Sequence, residues 1–266
     1  MASARRNGLL FDEVPTLYER YRPGYPDEAV DWLLAGAAIR TPRSVRLLEV
    51  GPGTGQLTLP LARRGFAITA LEPGPRMRAF LRRKLAEYPD VLVLESRFED
   101  ADLPASSFDF VVSATAFHWV DPEVRYGLAA RVLTVDGCLG LLRHDHVAGP
   151  HNGGYYDRAN EVYRRLAPEV GPPYVPPPES EVRGFRAEMA DSGLFEVVAE
   201  RRFAWDQLYT SSTLIGLLRT HSDHRALPRR RRAALVREIR AIVDEDLAGS
   251  FVDRYVTTVC VGRRIG

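Results

Sequence analysis

The chain has 266 residues, 45% hydrophobic and 27% charged, with a formal net charge of +1. These values fit a soluble fold of one large domain or one domain with a cap, and they exclude a bulk electrostatic case for binding nucleic acid. No apolar run approaches the ~20 residues of a membrane helix, and MASARRNGLLFDEVP lacks the apolar segment of a secretion signal, so a cytoplasmic protein without membrane partners is expected.

From the N-terminus, Phe11 to Leu34 has helical spacing, interrupted at Pro23-Gly24-Tyr25-Pro26. Strand and helix then alternate. Strands are expected at Val45–Val50, Ala67–Leu71, Val91–Glu95, Phe108–Ala114 and Cys138–Leu142. Helices are expected at Gln56–Arg64, from Pro75 through Leu85, and at Pro122–Leu133. Continuous apolar strands separated by helices imply a parallel sheet covered on both faces.

After Arg143 the pattern changes. HNGGYY, a helical piece at Asn160–Leu166 and the proline-rich GPPYVPPPES follow, the last read as a stiff connector. Phe185–Ser192 has helical spacing. Leu194–Trp205 alternates with period two, as a strand with one wetter face does. Two helices come next, the first capped at Ser211/Ser212, the second running from Pro228 to near Gly249; Phe251–Val261 closes the chain as a strand. The run Arg229–Arg232 begins that second helix and reads as a solvated face. Cys138 and Cys260 lie in apolar runs and read as buried thiols. No His/Cys cluster has zinc-site spacing, so no metal is expected.

The stretch LLEVGPGTGQLT (47–58) carries the chemistry. A strand, a glycine turn and a helix start together present free backbone N–H groups, and glycine permits close approach of a ligand. Dinucleotides and S-adenosylmethionine both use this geometry. The spacing Gly51, Gly53, Gly55, with Gln56 where a dinucleotide motif has glycine, weighs against a nicotinamide oxidoreductase. Glu49 weighs further: beside a pyrophosphate it repels, beside an ammonium it attracts. Glu72, at the end of the second strand, is placed to accept from ribose hydroxyls.

Glu49-Val50-Gly51-Pro52-Gly53-Thr54-Gly55 followed by Ala70-Leu71-Glu72-Pro73 resembles the cofactor signature of class I S-adenosylmethionine-dependent methyltransferases. Phe98-Glu99-Asp100, Ser107-Phe108-Asp109, Ala116-Phe117-His118-Trp119-Val120-Asp121 and Tyr21-Arg22-Pro23-Gly24-Tyr25-Pro26 are similar to a small-molecule subgroup that includes trans-aconitate methyltransferases. The resemblance implies a Rossmann-like α/β fold: a seven-stranded, mostly parallel sheet with an antiparallel last strand, plus helical cap insertions. It divides the chain into an N-terminal cap segment (1–40), a cofactor-binding core (41–143), cap insertions (144–190 and 206–250) and closing strands (191–205 and 251–266). It places Cys138 and Cys260 on neighbouring strands, without a disulfide.

The resemblance also implies roles. Glu49, Gly51, Gly53 and Gly55 hold the methionine end of S-adenosylmethionine. Glu72, with Pro73, takes the ribose. Arg97, Phe98 and Glu99 edge the adenine; Arg97 stands where many relatives have an acid and cannot accept, leaving the Phe98 backbone or Glu99. Ala114, Thr115 and His118 face the sulfur, and Tyr21 or Arg22 covers the carboxylate. A general base is needed only for an acceptor that carries a proton at neutral pH. His118, His144 and His146 are candidates, with His144 chosen and His118 second. Tyr25, Phe117, Tyr155, Tyr156, Tyr209, His221 and His224 are available to an acceptor pocket. The expected activity is methyl transfer to an O, N or C nucleophile of a small molecule by a monomer or homodimer; the alternative is a protein that binds S-adenosylmethionine without methylating.

Overall fold

In the computed structural model, which describes residues 10–266, the apolar runs between 46 and 142 pair side by side as a sheet. Residues 1–9, which hold the stretch read for a targeting segment and the start of the N-terminal cap, lie outside the described residues. Strand β1 (Arg46–Val50) pairs in parallel with β2 (Ala67–Leu71) and β4 (Phe108–Ala114). In the same sense β2 pairs with β3 (Val91–Leu94), and β4 with β5 (Leu133–Val147). With β6 (Phe195–Thr210) and β7 (Ser250–Arg264) the sheet has seven strands in the order β3-β2-β1-β4-β5-β7-β6.

The last strand runs against its neighbours. The Ile265 N–H donates to the Leu194 carbonyl, while Val261 and Ala199 both flank Gly36. On the other side Arg264 donates to the Leu133 carbonyl, and Thr257 meets His144. Cys138 and Cys260 therefore sit on adjacent strands, both buried and both free thiols.

Two compact units share the chain. One comprises Pro23–His144, Arg183–Phe203 and Thr257–Gly266. Its strands are apolar on both sides because helices cover both faces. One face buries Leu47, Ile68, Phe110 and Val112 with Ala29, Val30 and Leu33 of α2 (Asp27–Gly36), Leu61 of α3 (Thr58–Arg63) and Leu81 of α4 (Pro75–Lys84). The other buries Leu48, Val111, Leu139 and Leu141 with Tyr126 and Ala129 of α5 (Arg125–Val132) and Met189 of α7 (Arg186–Asp191). Neighbouring residues such as Leu47 and Leu48 go to opposite layers, as the pleat requires.

The second unit comprises the described part of Met1–Arg22, Asp145–Val182 and Ala204–Val256. Its helices are α1 (Pro15–Tyr21), α6 (Tyr155–Leu166), α8 (Ser211–Leu218), α9 (Ser222–Ala226) and α10 (Arg229–Ala241). Leu214, Leu218, Leu235, Ile239, Tyr155 and Phe251 share its core. Arg229, Arg230 and Arg231 are exposed, as a solvated face should be, and Arg231 pairs with Glu169 at 2.6 Å.

Three local readings need correction. Strand β5 extends to Val147 rather than stopping at Leu142, because Arg143-His144-Asp145-His146 continues extended although it carries no apolar signal. Strand β6 likewise runs on to Thr210. The cap of α8 is Thr210 rather than Ser211 or Ser212: its backbone is extended, its Oγ1 accepts from the Thr213 N–H, and Thr213 returns the bond.

Candidate functional site

Seven residues separate the end of β1 from the start of α3, and glycine occupies three of them. Gly51 has φ +70°, and a Cβ there would lie 2.5 Å from the Ala116 Cβ. A side chain at this position meets both a left-handed backbone and a filled space, so the close pass of the two loops demands glycine. The turn is held from outside. The Gly53 N–H donates to Glu72 Oε2 at 3.0 Å and the Gly74 N–H to Glu72 Oε1 at 2.8 Å. Lys84, the only lysine of the chain, donates from the last turn of α4 to the Thr54 and Gly55 carbonyls at 3.1 and 3.4 Å. Arg78, buried on the same helix, donates to the Glu72 carbonyl at 3.2 Å and to Glu95 at 2.5 Å.

Beneath this turn Glu49 is 1% exposed. Among the described residues its Oε2 has no hydrogen-bond partner; the same holds for Nε2 of Gln56 and Oγ1 of Thr58. Burial pushes the Glu49 pKa up to about 7; the Glu72 carboxylate adds to the rise, while the Thr58 hydroxyl and the Lys84 ammonium oppose it. An unpaired carboxylate oxygen buried among unsatisfied polar atoms is costly unless a donor completes it. The ligand that fits brings a cation with several N–H groups, such as an α-ammonium. A pyrophosphate brings none.

The expected cofactor set, His118 aside, falls into four groups. Glu49, Gly51, Gly53, Gly55, Glu72 and Pro73 are brought together by β1, β2 and the turn. Arg97, Phe98 and Glu99 follow β3. Arg97 donates to Glu99 Oε1 at 2.8 Å, and that same oxygen accepts from the Asp121 N–H at 3.2 Å. The Phe98 side chain is 3% exposed and belongs to the core, so only its backbone is available to a ligand. Ala114 ends β4; Thr115 has φ +52°, and its hydroxyl bonds the Tyr25 hydroxyl at 2.7 Å. Tyr21 and Arg22 belong to the other unit. There Tyr21 packs on α8 at Gly216, and Arg22 donates to Thr220 Oγ1 at 2.8 Å over the rings of Phe11 and Tyr18.

The two histidines expected to be catalytic are differently placed. His118 stands beside Trp119, and loss of water around its ring, then the guanidinium groups of Arg143 and Arg125, pulls its pKa down to about 4. Its ring is neutral at pH 7. His144 stacks on Tyr25 at 4.3 Å. Its Nε2 lies 3.1 Å from the Gly24 carbonyl, which only accepts, so Nε2 carries the proton and Nδ1 accepts from Thr257 Oγ1 at 2.9 Å. Both nitrogens are engaged, and a proton taken on Nδ1 would turn the Thr257 hydroxyl from donor to acceptor. These bonds hold the Gly24–Tyr25 segment.

The sequence reading passed over Thr58, Lys84 and Arg78. Only Lys84 carried a signal, as the one lysine among 36 basic residues.

Residues 48–141 match the family model described as a methyltransferase domain. The chain is similar to uncharacterized methyltransferases of Mycobacterium tuberculosis and Mycobacterium bovis, 42% identical over 143 residues, or 53% of this chain. The match spans 55% of each relative, about half the length of those curated proteins. Among solved structures, a candidate type II methyltransferase from Anaeromyxobacter dehalogenans aligns over 91% of this chain and 98% of its own, with TM-score 0.62 and 22% identity. The cyclase SpnF aligns over 99% and 97%, with TM-score 0.58 and 17% identity. At these identities the structural likeness bears on the fold alone. No described helix is long and apolar enough to cross a membrane.

Proposed function

We propose that residues 48–141, which match the methyltransferase-domain model, form a class I S-adenosylmethionine-dependent methyltransferase domain and that this chain methylates an O, N or C nucleophile of a small molecule. The observation that carries the reading is the buried Glu49 carboxylate with an unpartnered oxygen beneath the glycine turn. Glu49 takes the ammonium of the methionine moiety. Gly51, Gly53 and Gly55 let the ligand approach the backbone, and Glu72 turns from its two glycine N–H groups to the ribose hydroxyls. Pro73, Arg97, the Phe98 backbone and Glu99 border the nucleoside. Ala114, Thr115 and a neutral His118 line the loop nearest the sulfur.

When bound, S-adenosylmethionine supplies a methyl carbon on a sulfonium whose departure leaves a neutral thioether. The chain's own contribution is then alignment and exclusion of water. Holding a nucleophile in line at 3–3.5 Å can contribute ~7–11 kcal/mol.

Calorimetric titration with S-adenosylhomocysteine, and separately with a reduced nicotinamide dinucleotide, tests the reading. Binding of the first and not the second is expected; the reverse would overturn it. Mass spectrometry of acceptor candidates separates transfer, seen as the added mass of a methyl group, from binding alone.

A further inference from the structure

Between α8 and α9 of the second unit the chain reads Thr220-His221-Ser222-Asp223-His224. Three of these side chains carry metal-ligating atoms, and one donor atom from each lies within 4.8 Å of the other two. All three belong to the same compact unit, and none takes part in the glycine turn. The chain has no paired Cys/His spacing, but a carboxylate can supply the third donor that such spacing lacks.

The cluster is held on one side and open on the other. His224 is 6% exposed. Its Nδ1 lies 2.8 Å from Asp223 Oδ1, and its Nε2 lies 2.7 Å from the Tyr163 hydroxyl of α6. Beside the carboxylate Nδ1 carries the proton, so Nε2 accepts from Tyr163. Asp223 is 45% exposed, and its Oδ2 accepts no hydrogen bond among the described residues. The His221 ring meets the His224 ring edge-on at 5.3 Å between centroids. His221 is partly buried, yet neither ring nitrogen has a hydrogen-bond partner among the described residues. A cation with several coordination positions completes the imidazole and the carboxylate together.

We propose that His221, Asp223 and His224 bind a divalent first-row transition ion through two imidazole nitrogens and one carboxylate oxygen. Ligands about 2.1 Å from one ion stand about 3.0–3.4 Å apart when adjacent and up to about 4.2 Å apart when opposite. The 2.8 Å between Asp223 and His224 is near the adjacent value, and the widest gap, at most 4.8 Å, needs a closure of roughly 0.6 Å. Coordination at His224 Nδ1 moves the ring proton to Nε2, and the Tyr163 hydroxyl turns from donor to acceptor. Tyr163 then orients the ligating ring. Arg22, which donates to Thr220 Oγ1 at 2.8 Å, opposes a cation here, and the Asp223 carboxylate offsets it. Arg225, next in the chain, is paired with Glu13. Imidazole nitrogens favour Zn²⁺, Co²⁺ and Ni²⁺ over Ca²⁺ and Mg²⁺, which prefer oxygen donors. Three protein donors leave a further position for water or a ligand. This site goes beyond the methyltransferase reading and does not depend on it.

The full chain, freed of any histidine tag, tests this with Co²⁺ and Zn²⁺. Wild type should bind one equivalent of Co²⁺, read by its visible absorption, and Zn²⁺ should displace it while Ca²⁺ and Mg²⁺ do not. His221→Ala removes a ring with no hydrogen bond among the described residues, so the fold should persist. It and Asp223→Asn should each weaken Co²⁺ by more than about a hundredfold, and Tyr163→Phe by about tenfold, as loss of an outer partner does. His151→Ala, at an exposed histidine outside the cluster, should bind as wild type does. In nitrogen-15 histidine spectra, the ring signals lost in His224→Gln should pass from the Nδ1–H to the Nε2–H tautomer when Zn²⁺ is added to wild type. No stoichiometric binding by wild type, or unchanged binding by His221→Ala, overturns the site. Equal weakening in His151→Ala marks scattered surface binding and overturns it too. If Asp223→Asn does not fold, His221→Ala decides alone.

Discussion

Two buried carboxylates make opposite statements. Glu49, below the glycine turn, has an oxygen that accepts no hydrogen bond among the described residues. Asp253, in the other unit, has both oxygens completed by Tyr156 and His146. The first leaves an oxygen for the proposed ligand's ammonium to complete. The second is completed within the protein. A buried acid therefore has to be judged by what it lacks as much as by what it touches.

That contrast can be broken most severely at Gly51. Gly51→Val puts a β-branched side chain at positive φ and against Ala116, and should cost ~3–5 kcal/mol, the sum of strain and overpacking. A thermal melt would read it as loss of the unit that carries the glycine turn; an unchanged midpoint would refute the packing account.

The next effect is on pH dependence. Glu49 keeps its proton in the folded chain up to about 7, whereas an unfolded glutamate loses it near 4.5. Between those values the native state binds the extra proton, so stability falls as pH rises through the window. The expected loss is at most roughly 3 kcal/mol. Chemical denaturation at pH 5 and 8 should show it in the free protein and not in Glu49→Gln.

Ligand affinity comes third. Glu49→Gln should weaken S-adenosylhomocysteine by about thirtyfold in calorimetry, equivalent to ~2 kcal/mol for a lost charge-assisted bond. Smallest is Thr210→Ala, which removes the reciprocal cap of α8 and should cost ~1 kcal/mol in the second unit without altering ligand affinity.

The parallel core and the glycine turn were legible because their signals are contiguous. β2 and β4 fall on the residues their apolar runs mark, and Glu49, Gly51 and Gly55 lie within one short stretch. The meeting of His146 and Asp253 was not legible in that way. His146 and Asp253 are 107 residues apart, and they meet only through the pairing of β5 with β7. The outer part of β5 reads Arg-His-Asp-His, with no hydrophobic period to extend the strand. His144 drew attention because it follows the apolar run directly, yet its hydrogen bonds to Gly24 and Thr257 come from opposite ends of the chain and no local pattern reveals them. Three adjacent hydroxyl residues, Thr210, Ser211 and Ser212, gave the cap of α8 three equivalent candidates, and only the backbone angles choose among them.

The tether from α4 to the glycine turn has a practical consequence. Lys84 supplies the sole ε-amine in the chain, and it is spent on two carbonyls of the loop. A side-chain acylating reagent therefore has one address, and its rate of labelling is a direct gauge of how firmly that loop is closed.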